Sequence, residues 1–533
     1  MLARRDLVTT ILLMAIVLGG TAVRFVGVAA GRPFVYHPDE GVVVKAAMRM
    51  TATGDWNPHT FLYPSLLIDI VAGIATIGHA IAAWPLATSQ SWLFPAEALP
   101  EQFDAYLAGR VFVAVLGGAT VLVTFAIGRR LGGRLAGLLA AAVVALAPVH
   151  IESSQTVTTD VPVTLFCALV LLFSIRAVDE PDRRRWWVIA AVCVGLAAST
   201  KWNGIAVGIV PAALYLTSRV RPISVSALLR SPTPWLMLGA GALAFIVTTP
   251  AVVLAPGEVA DGLATQAAAY SSAAYAALRG PGEPNSVIIE IQSLVEGFGP
   301  ALVVVAVLAI LGLLAARRQF EFAIALFIVV YVAILSIPVL HYPRNALPAL
   351  PYLGIGIGLL PTLVARALSR RAPAADAVGS RLGSTPVVRL AVAALLLVLM
   401  VPAVTQDIAD ARRSRAADTR SVAYAWVLAN VPRNAIVARE QYTPQLTPDP
   451  FRLRKYDGLY QRSMASYRDQ RVQYLIASSA IYGRFLGNLD RPFDDAFYRA
   501  LFQLPEVFHI EPGADRPGPT IRIFKLDPGP AGG

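Results

Sequence analysis

Two adjacent carboxylates, Asp39 and Glu40, stand behind His37 and Pro38 in RPFVYHPDEGVVVKAAMRM, residues 32–50. A carboxylate so placed can act as a general base toward a hydroxyl or amine. The same residues also suit a helix start, because proline fits the first turn and acids favour the positive end of the helix dipole. Asp160, in TVTTDVPVTLF, carries the same two readings, with Pro162 in the turn that follows. Two cations are equally out of place. Lys201 interrupts two short apolar half-helices at STKWNG, and Arg344 sits in LHYPRNALPALP beside His341 and Tyr342. Lysine at such a position can snorkel toward headgroups, or it can hold an anion. Arginine can grip a phosphate through two parallel hydrogen bonds. Such cations, together with a carboxylate pair, point to an anionic leaving group next to a general base. His150 and Glu152 close an apolar run, where they either face water at the interface or join this group.

Several chemistries are excluded or disfavoured. The chain has no GxxxxGK[ST] loop, no GxGxxG between a strand and a helix, no HExxH helix and no DxD-type acidic motif. His37, Glu40, His150 and Glu152 are metal-ligand types, but their spacing is not diagnostic. No obligatory tight metal site and no other cofactor is expected; a divalent cation without a diagnostic motif stays open.

The elements that must position these residues are membrane helices. Of 533 residues 56% are hydrophobic and 15% charged, with a mean hydropathy of +0.60; a soluble globule of this length needs no such surface. A spanning helix takes roughly 20 apolar residues. Runs at 7–29, 104–127, 133–150, 160–178, 234–255, 296–316, 320–340, 346–368 and 386–405 qualify, and the shorter 186–200 and 203–218 flank STKWNG. The first run is too long for a signal-peptide core and lacks a small-residue cleavage site, so it reads as a retained helix. Cys167 and Cys193 fall in apolar runs and read as small core residues.

The net charge of +11 resides in short loops, at Arg4 and Arg5, Arg129, Arg130 and Arg134, Arg183 to Arg185, Arg219 and Arg221, Arg317 and Arg318, and Arg370 and Arg371. This is the positive-inside pattern, not a nucleic-acid surface. With those loops cytoplasmic, the first helix runs outward and residues 30–103 begin and end outside. The segment 61–83 then reads as a juxtamembrane or re-entrant helix, and about eleven spans remain; a true span at 61–83, with another short segment failing to cross, is the alternative. Asp39, Asp160, Lys201 and Arg344 all fall on the outer side. The expected architecture is a multi-pass cell-membrane protein with a cytoplasmic N-terminus. Residues 1–405 form the membrane domain and 406–533 a small extracytoplasmic α/β domain. In the latter, a helix over SVAYAWVLAN precedes a strand. VQYLIASSAIY and TIRIFKL supply further strands, with a helix over DDAFYRALFQL between them. The outer loop 256–295, with Tyr270 and Tyr275, reads either as a lid helix or as a surface helix without a role.

In order, HPDE, GDWNPHTFLYPSLL, YLAGRVFVAVLGG, IESSQTVTTDVP, STKWNGIAVG and HYPRNALPALPYL resemble the GT-C membrane glycosyltransferases of the protein-mannosyltransferase and aminoarabinose-transferase kind, over about residues 7–368. The resemblance implies a sugar taken from a polyprenyl-phosphate carrier on the extracytoplasmic face, with inversion at the sugar carbon. It places Asp39 as catalytic base and Glu40 as the neighbour that helps hold the acceptor or base. Asp160 becomes a second acid near the site, and Lys201 and Arg344 meet the carrier phosphate. His37, Tyr63, His150, Glu152, Asp160, His341 and Tyr342 are the further substrate-contact candidates. The acceptor, whether glycan, lipid or protein, is left open, and no metal site like that of the aminoarabinose enzymes aligns. A transporter or flippase of a lipid-linked or anionic solute is the rival reading, because broken helices with an intramembrane lysine occur there too.

Overall fold

The computed structural model describes residues 2–82, 104–219, 225–271, 286–338, 340–371, 385–488 and 491–526. Tyr275, the end of the first outer loop and the linker between residues 372 and 384 lie outside them. The chain forms two compact units. One comprises Met1–Val28, His37–Ala268 and Ser286–Asp407; the other comprises Ala29–Tyr36, Ala269–Asn285 and Ile408–Gly533.

The first unit is helical, and this is a multi-pass membrane protein. Each of the eleven expected segments is helical over most of its length. Among the described residues, five helices are individually long and apolar enough to cross a bilayer: Leu7–Val26, Ala105–Ala145, Asp160–Asp179, Pro343–Ser369 and Pro386–Arg413. A sixth would be the pair Ser286–Phe298 and Pro300–Ala316, bent by 114°. The segment over 61–83 contains the shorter apolar helix Leu66–Ala82.

Helix Ala105–Ala145 is two helices joined at Gly133, whose φ of 83° and ψ of −173° are non-helical. The backbone conformation there is one that glycine adopts without strain. The hairpin it creates brings Gly128 against the backbone of Ala136 and Gly137. Helix Leu350–Arg371 then packs on the returning arm at Gly358, where a Cβ would clash with the Ala136 carbonyl oxygen. Small residues let the backbones approach where no hydrophobic force drives helices together in lipid. Pro148 restarts the chain as the short helix Pro148–Ser153, so His150 and Glu152 belong to a separate element from the span before them.

The second unit has a five-stranded sheet in the order β2-β1-β3-β5-β4. Its strands are β1 Ile436–Arg439, β2 Arg452–Lys455, β3 Tyr474–Ser478, β4 Glu506–Ile510 and β5 Ile521–Lys525. β1 runs parallel to β2 and β3, while β5 is antiparallel to β3 and β4. Helices Thr419–Asn430 and Pro492–Leu501 occupy the places expected of them. Both strands that the sequence pattern did not suggest, β2 and β4, are edges. RLRK is short and basic, a composition that blunts an edge against further pairing and hides the period of a strand.

Directly after β1 lies Glu440, 1% exposed. Its carboxylate accepts from Leu459 N at 2.9 Å, Ser478 N at 2.7 Å and the Tyr498 hydroxyl at 2.7 Å. Burial pushes this carboxyl up from 4.5 to about 7, against the hydrogen bonds that favour its ionised form. A raised folded-state value means that the stability this group contributes is complete below pH 4.5 and is lost as pH rises through about 7. The change is on the order of 3 kcal/mol. The opening free energy of the Leu459 and Ser478 amides, read by hydrogen exchange on the whole protein, should therefore fall across that window. Glu440→Gln should flatten the dependence, and an unchanged slope in that variant would assign it to another group.

Candidate active site

His37 is the N-cap of helix Pro38–Thr53, with extended φ and ψ of −81° and 121°, and Pro38 occupies the first turn. The acids that follow part company. Glu40 has no exposed surface. Its oxygens receive Arg110 Nε and Nη2, each at 2.7 Å, and Val157 N at 2.9 Å. Arg110 also donates Nη1 to the Val28 carbonyl at 2.9 Å, so one guanidinium ties both ends of the chain that carries His37 and Asp39. Asp39 stays partly open, its side chain 22% exposed, and receives Arg344 Nη2 at 3.0 Å.

Arg344 continues the network. Its Nε lies 3.8 Å from Asp160 Oδ2, and its guanidinium stacks 4.3 Å from the Tyr342 ring centre. Asp160 opens helix Asp160–Asp179, where the dipole favours a carboxylate. Its other oxygen receives Lys201 Nζ at 2.7 Å, and Lys201 also donates to Asn345 Oδ1 at 2.8 Å. The result is an alternating chain: Asp39, Arg344, Asp160, Lys201. Two acids and two cations from four separated segments share a poorly hydrated place.

The two motif turns have the same backbone plan. Lys201 is extended (φ −149°, ψ 134°) before the 3₁₀ helix Trp202–Gly208. Tyr342 is extended (φ −135°, ψ 132°) before the 3₁₀ helix Pro343–Ala349. Each then passes into an α-helix, Ile209–Arg219 and Leu350–Arg371 respectively. The turns are bolted together by Lys201 to Asn345, and by Asn203 donating to Tyr331 at 3.0 Å, whose hydroxyl donates to the Asn345 carbonyl at 3.1 Å. Backbone that leaves the regular helix inside a membrane must find such partners.

A cavity of about 260 Å³ is lined by His37, Glu152, Thr156, Glu296, Pro343 and Arg344, among others. Burial first, and the Arg344 charge in addition, hold the His37 imidazole below its ordinary range, although Asp39 pulls the other way. Its Nδ1 is buried without a hydrogen-bond partner. Glu152, on the rim, is exposed.

The remaining candidates lie apart from the Asp39–Lys201 chain or are already engaged. His150 is fully buried, with Nδ1 2.7 Å from Arg24 Nη2. Arg24 also donates to the carbonyls of Gly20, Val144 and Ala145. His341 Nδ1 is 2.6 Å from Glu290 Oε2, and both side chains are nearly buried. Tyr63 is half-buried in the irregular segment before helix Leu66–Ala82. Helix Pro256–Ser271, at the start of the expected lid loop, meets the first loop through Glu258, which is 2.9 Å from His59 Nδ1 and accepts from Asn57. Among the described residues, no three His, Cys, Asp or Glu side chains converge as a metal site.

Arg110, Asn345 and Glu290 are not among the candidates that the sequence motifs mark. Arg110 and Glu290 did carry a signal, being charges inside apolar helices that require buried partners. Asn345 carried none.

Residues 103–253 match the family described as dolichyl-phosphate-mannose-protein mannosyltransferase. No curated protein sequence matches the chain. Among solved structures, ArnT from Cupriavidus metallidurans bound to undecaprenyl phosphate superposes with a TM-score of 0.53 at 16% identity, covering 96% of this chain and 97% of that one. The oligosaccharyltransferase of Archaeoglobus fulgidus in its apo form superposes with a TM-score of 0.51 at 12% identity, covering 91% and 72%. The chain has the GT-C fold. At these identities the likeness is one of architecture. The ArnT superposition covers nearly the whole chain, residues of the C-terminal unit included.

The Glu40–Arg110 pair is the structural keystone of the acid loop. Glu40→Ala should leave a buried guanidinium unpaired and destabilise the protein by about 3–5 kcal/mol. Asp39→Ala, at a partly exposed end of the network, should cost less than about 1.5 kcal/mol. Thermal unfolding of the two variants in detergent checks the order; equal losses would contradict it.

Proposed function

We propose that this protein is a glycosyltransferase that moves a sugar from a polyprenyl-phosphate carrier to an acceptor on the extracytoplasmic face. The carrying observation is the alternating chain Asp39–Arg344–Asp160–Lys201, with Arg344 and His37 on a shared cavity. The fold comparisons support the same reading: the ArnT structure is bound to undecaprenyl phosphate, and an Archaeoglobus oligosaccharyltransferase structure is a complex with an inhibitory peptide and a dolichol-phosphate.

In this reading an acceptor hydroxyl or amine attacks the anomeric carbon. The bond from that carbon to the phosphate oxygen breaks, and the polyprenyl phosphate leaves with the bonding electrons. The acceptor's proton passes to the Asp39 carboxylate. A single displacement inverts the carbon. Arg344 is the more accessible cation and meets the phosphate as its charge grows. Lys201 adds to the positive potential from behind Asp160, and in a water-poor site such preorganised charges are worth far more than in water. Without an anion, Arg344 neutralises Asp39; a phosphate drawing Arg344 toward itself releases the carboxylate to act as base. Glu40 is a positioning residue, since its oxygens are spent on Arg110 and Val157. The donor can be a hexosyl or pentosyl lipid, and the acceptor a glycan, lipid or protein.

The test is to incubate purified protein with a panel of polyprenyl-phosphate sugars and an acceptor mixture and to assay free polyprenyl phosphate. Asp39→Asn should lower its release by about 10²–10⁴-fold while retaining polyprenyl-phosphate binding. Normal turnover in that variant would remove Asp39 from the role. Movement of intact donor across proteoliposomes, with no cleavage, would favour the transporter reading.

A further inference from the structure

Eight residues before the candidate base belong to the C-terminal unit. Residues Ala29–Tyr36 cluster with Ile408–Gly533, whereas His37 onward clusters with the membrane helices. The segment is a folded hook. Phe34 N bonds to the Gly31 carbonyl at 2.9 Å, and the Tyr36 ring lies so close over Gly31 that a Cβ there would meet it at 2.8 Å. Val35 and Tyr36 also find partners more than 380 residues away along the chain. Gln445 reads the Val35 backbone twice: its Oε1 accepts from Val35 N at 3.2 Å and its amide nitrogen donates to the Val35 carbonyl. Tyr36 shares a hydrogen bond of 2.7 Å with Ser421. Phe34 packs on Tyr424 with ring centres 4.7 Å apart. Arg420 stacks 3.7 Å from the Tyr36 ring centre, held flat by two 2.8 Å bonds to Asp418.

We propose that the C-terminal unit is a positioning device for the acid loop, acting through this hook. The inference rests on reading Asp39 as the base. Arg110 pins the chain at Val28 and again at Glu40, so only the arc between them can shift. The arc's middle is gripped by Gln445, Arg420, Ser421 and Tyr424, and His37 and Asp39 lie on its last stretch. Three peptide steps separate Tyr36 from Asp39, roughly 11 Å at full extension. Little slack is available to absorb a displacement of the hook. A misplacement of about 1 Å at a reacting group can cost as much as 10²-fold in rate. Lys201, Asp160 and Asn345, by contrast, are carried by helices outside the arc. Loosening the hook should therefore damage turnover and spare donor binding, a split that a general loss of structure does not produce.

The experiment compares Gln445→Ala, Tyr36→Ala and Tyr36→Phe in the full-length protein. The measurements are kcat, KM for the polyprenyl-phosphate sugar, polyprenyl-phosphate binding and thermal unfolding. Gln445→Ala and Tyr36→Ala should lower kcat about tenfold or more, with KM and carrier binding within about twofold. Tyr36→Phe keeps the ring on Arg420 and Gly31 and loses only the bond to Ser421, so it should stay within about threefold of the parent, a modest hydrogen-bond loss. If Tyr36→Ala does not fold, Gln445→Ala, which leaves every ring contact in place, decides the matter. Unchanged kcat in Gln445→Ala overturns the proposal, as does a fall in carrier binding equal to the fall in kcat. An inactive Asp39→Asn beside a fully active Gln445→Ala would sink this inference alone, whereas an active Asp39→Asn would sink the base assignment beneath it.

Discussion

A guanidinium cannot be buried in a helical bundle without an anion and further acceptors, and Arg110 has the Glu40 carboxylate and the Val28 carbonyl. Its position inside an apolar helix makes the requirement strict, because no water is at hand to substitute. The two residues that satisfy it, Val28 and Glu40, end the first helix region and begin the second. The chain between them is therefore forced to leave and re-enter at one point. Everything chemical about the loop follows from that closure: Glu40 is drawn inward, and its neighbour Asp39, one residue earlier in the same first turn, stays partly open and meets Arg344.

The charge chain that follows is balanced, and that balance has consequences. Lys201 is nearly buried, and Asp160 is the anion that keeps it so. Asp160 in turn reaches toward Arg344, which reaches Asp39. A site with equal numbers of acids and cations can stay assembled without ligand. It can also accept an anion at its most exposed cation, because redistributing hydrogen bonds within a network costs less than stripping a lone ion of water. The gradation in exposure, from Lys201 inward to Arg344 and Asp39 outward, sets which pair opens first.

Much of this was legible in the residues, and the part that was not has physical reasons. The break between the runs 104–127 and 133–150 could be read because Arg129, Arg130 and Arg134 interrupt an apolar pattern, and Gly133 within it does take a non-helical conformation. Asp39, Asp160, Lys201 and Arg344 stood out as charges at the ends or breaks of apolar runs, and the structure brings those four together. His150 and His341 looked like their equals, yet each is joined to another buried charged side chain, Arg24 and Glu290. Nothing local distinguishes a histidine that faces a cavity from one that caps a buried arginine. Asn345 was invisible for the same reason: its role exists only once Lys201 arrives from 144 residues away. The edge strands β2 and β4 lacked an alternating pattern because an edge needs none.

The hook shows a limit of reading domains as consecutive stretches. Composition alone separates helices from sheet near residue 406, whereas the compact units are not consecutive stretches. Yet residues 29–36 cross that division, because Phe34, Val35 and Tyr36 find their partners on the sheet unit and not on the helices that flank them in sequence. A short segment with two aromatic rings has little to gain from facing water. Once the closure at Arg110 throws it outward as a loop, burial against Tyr424 and stacking under Arg420 are the available ways to cover those rings. The closure at Arg110 thus leaves residues 29–36 to be covered within the C-terminal unit.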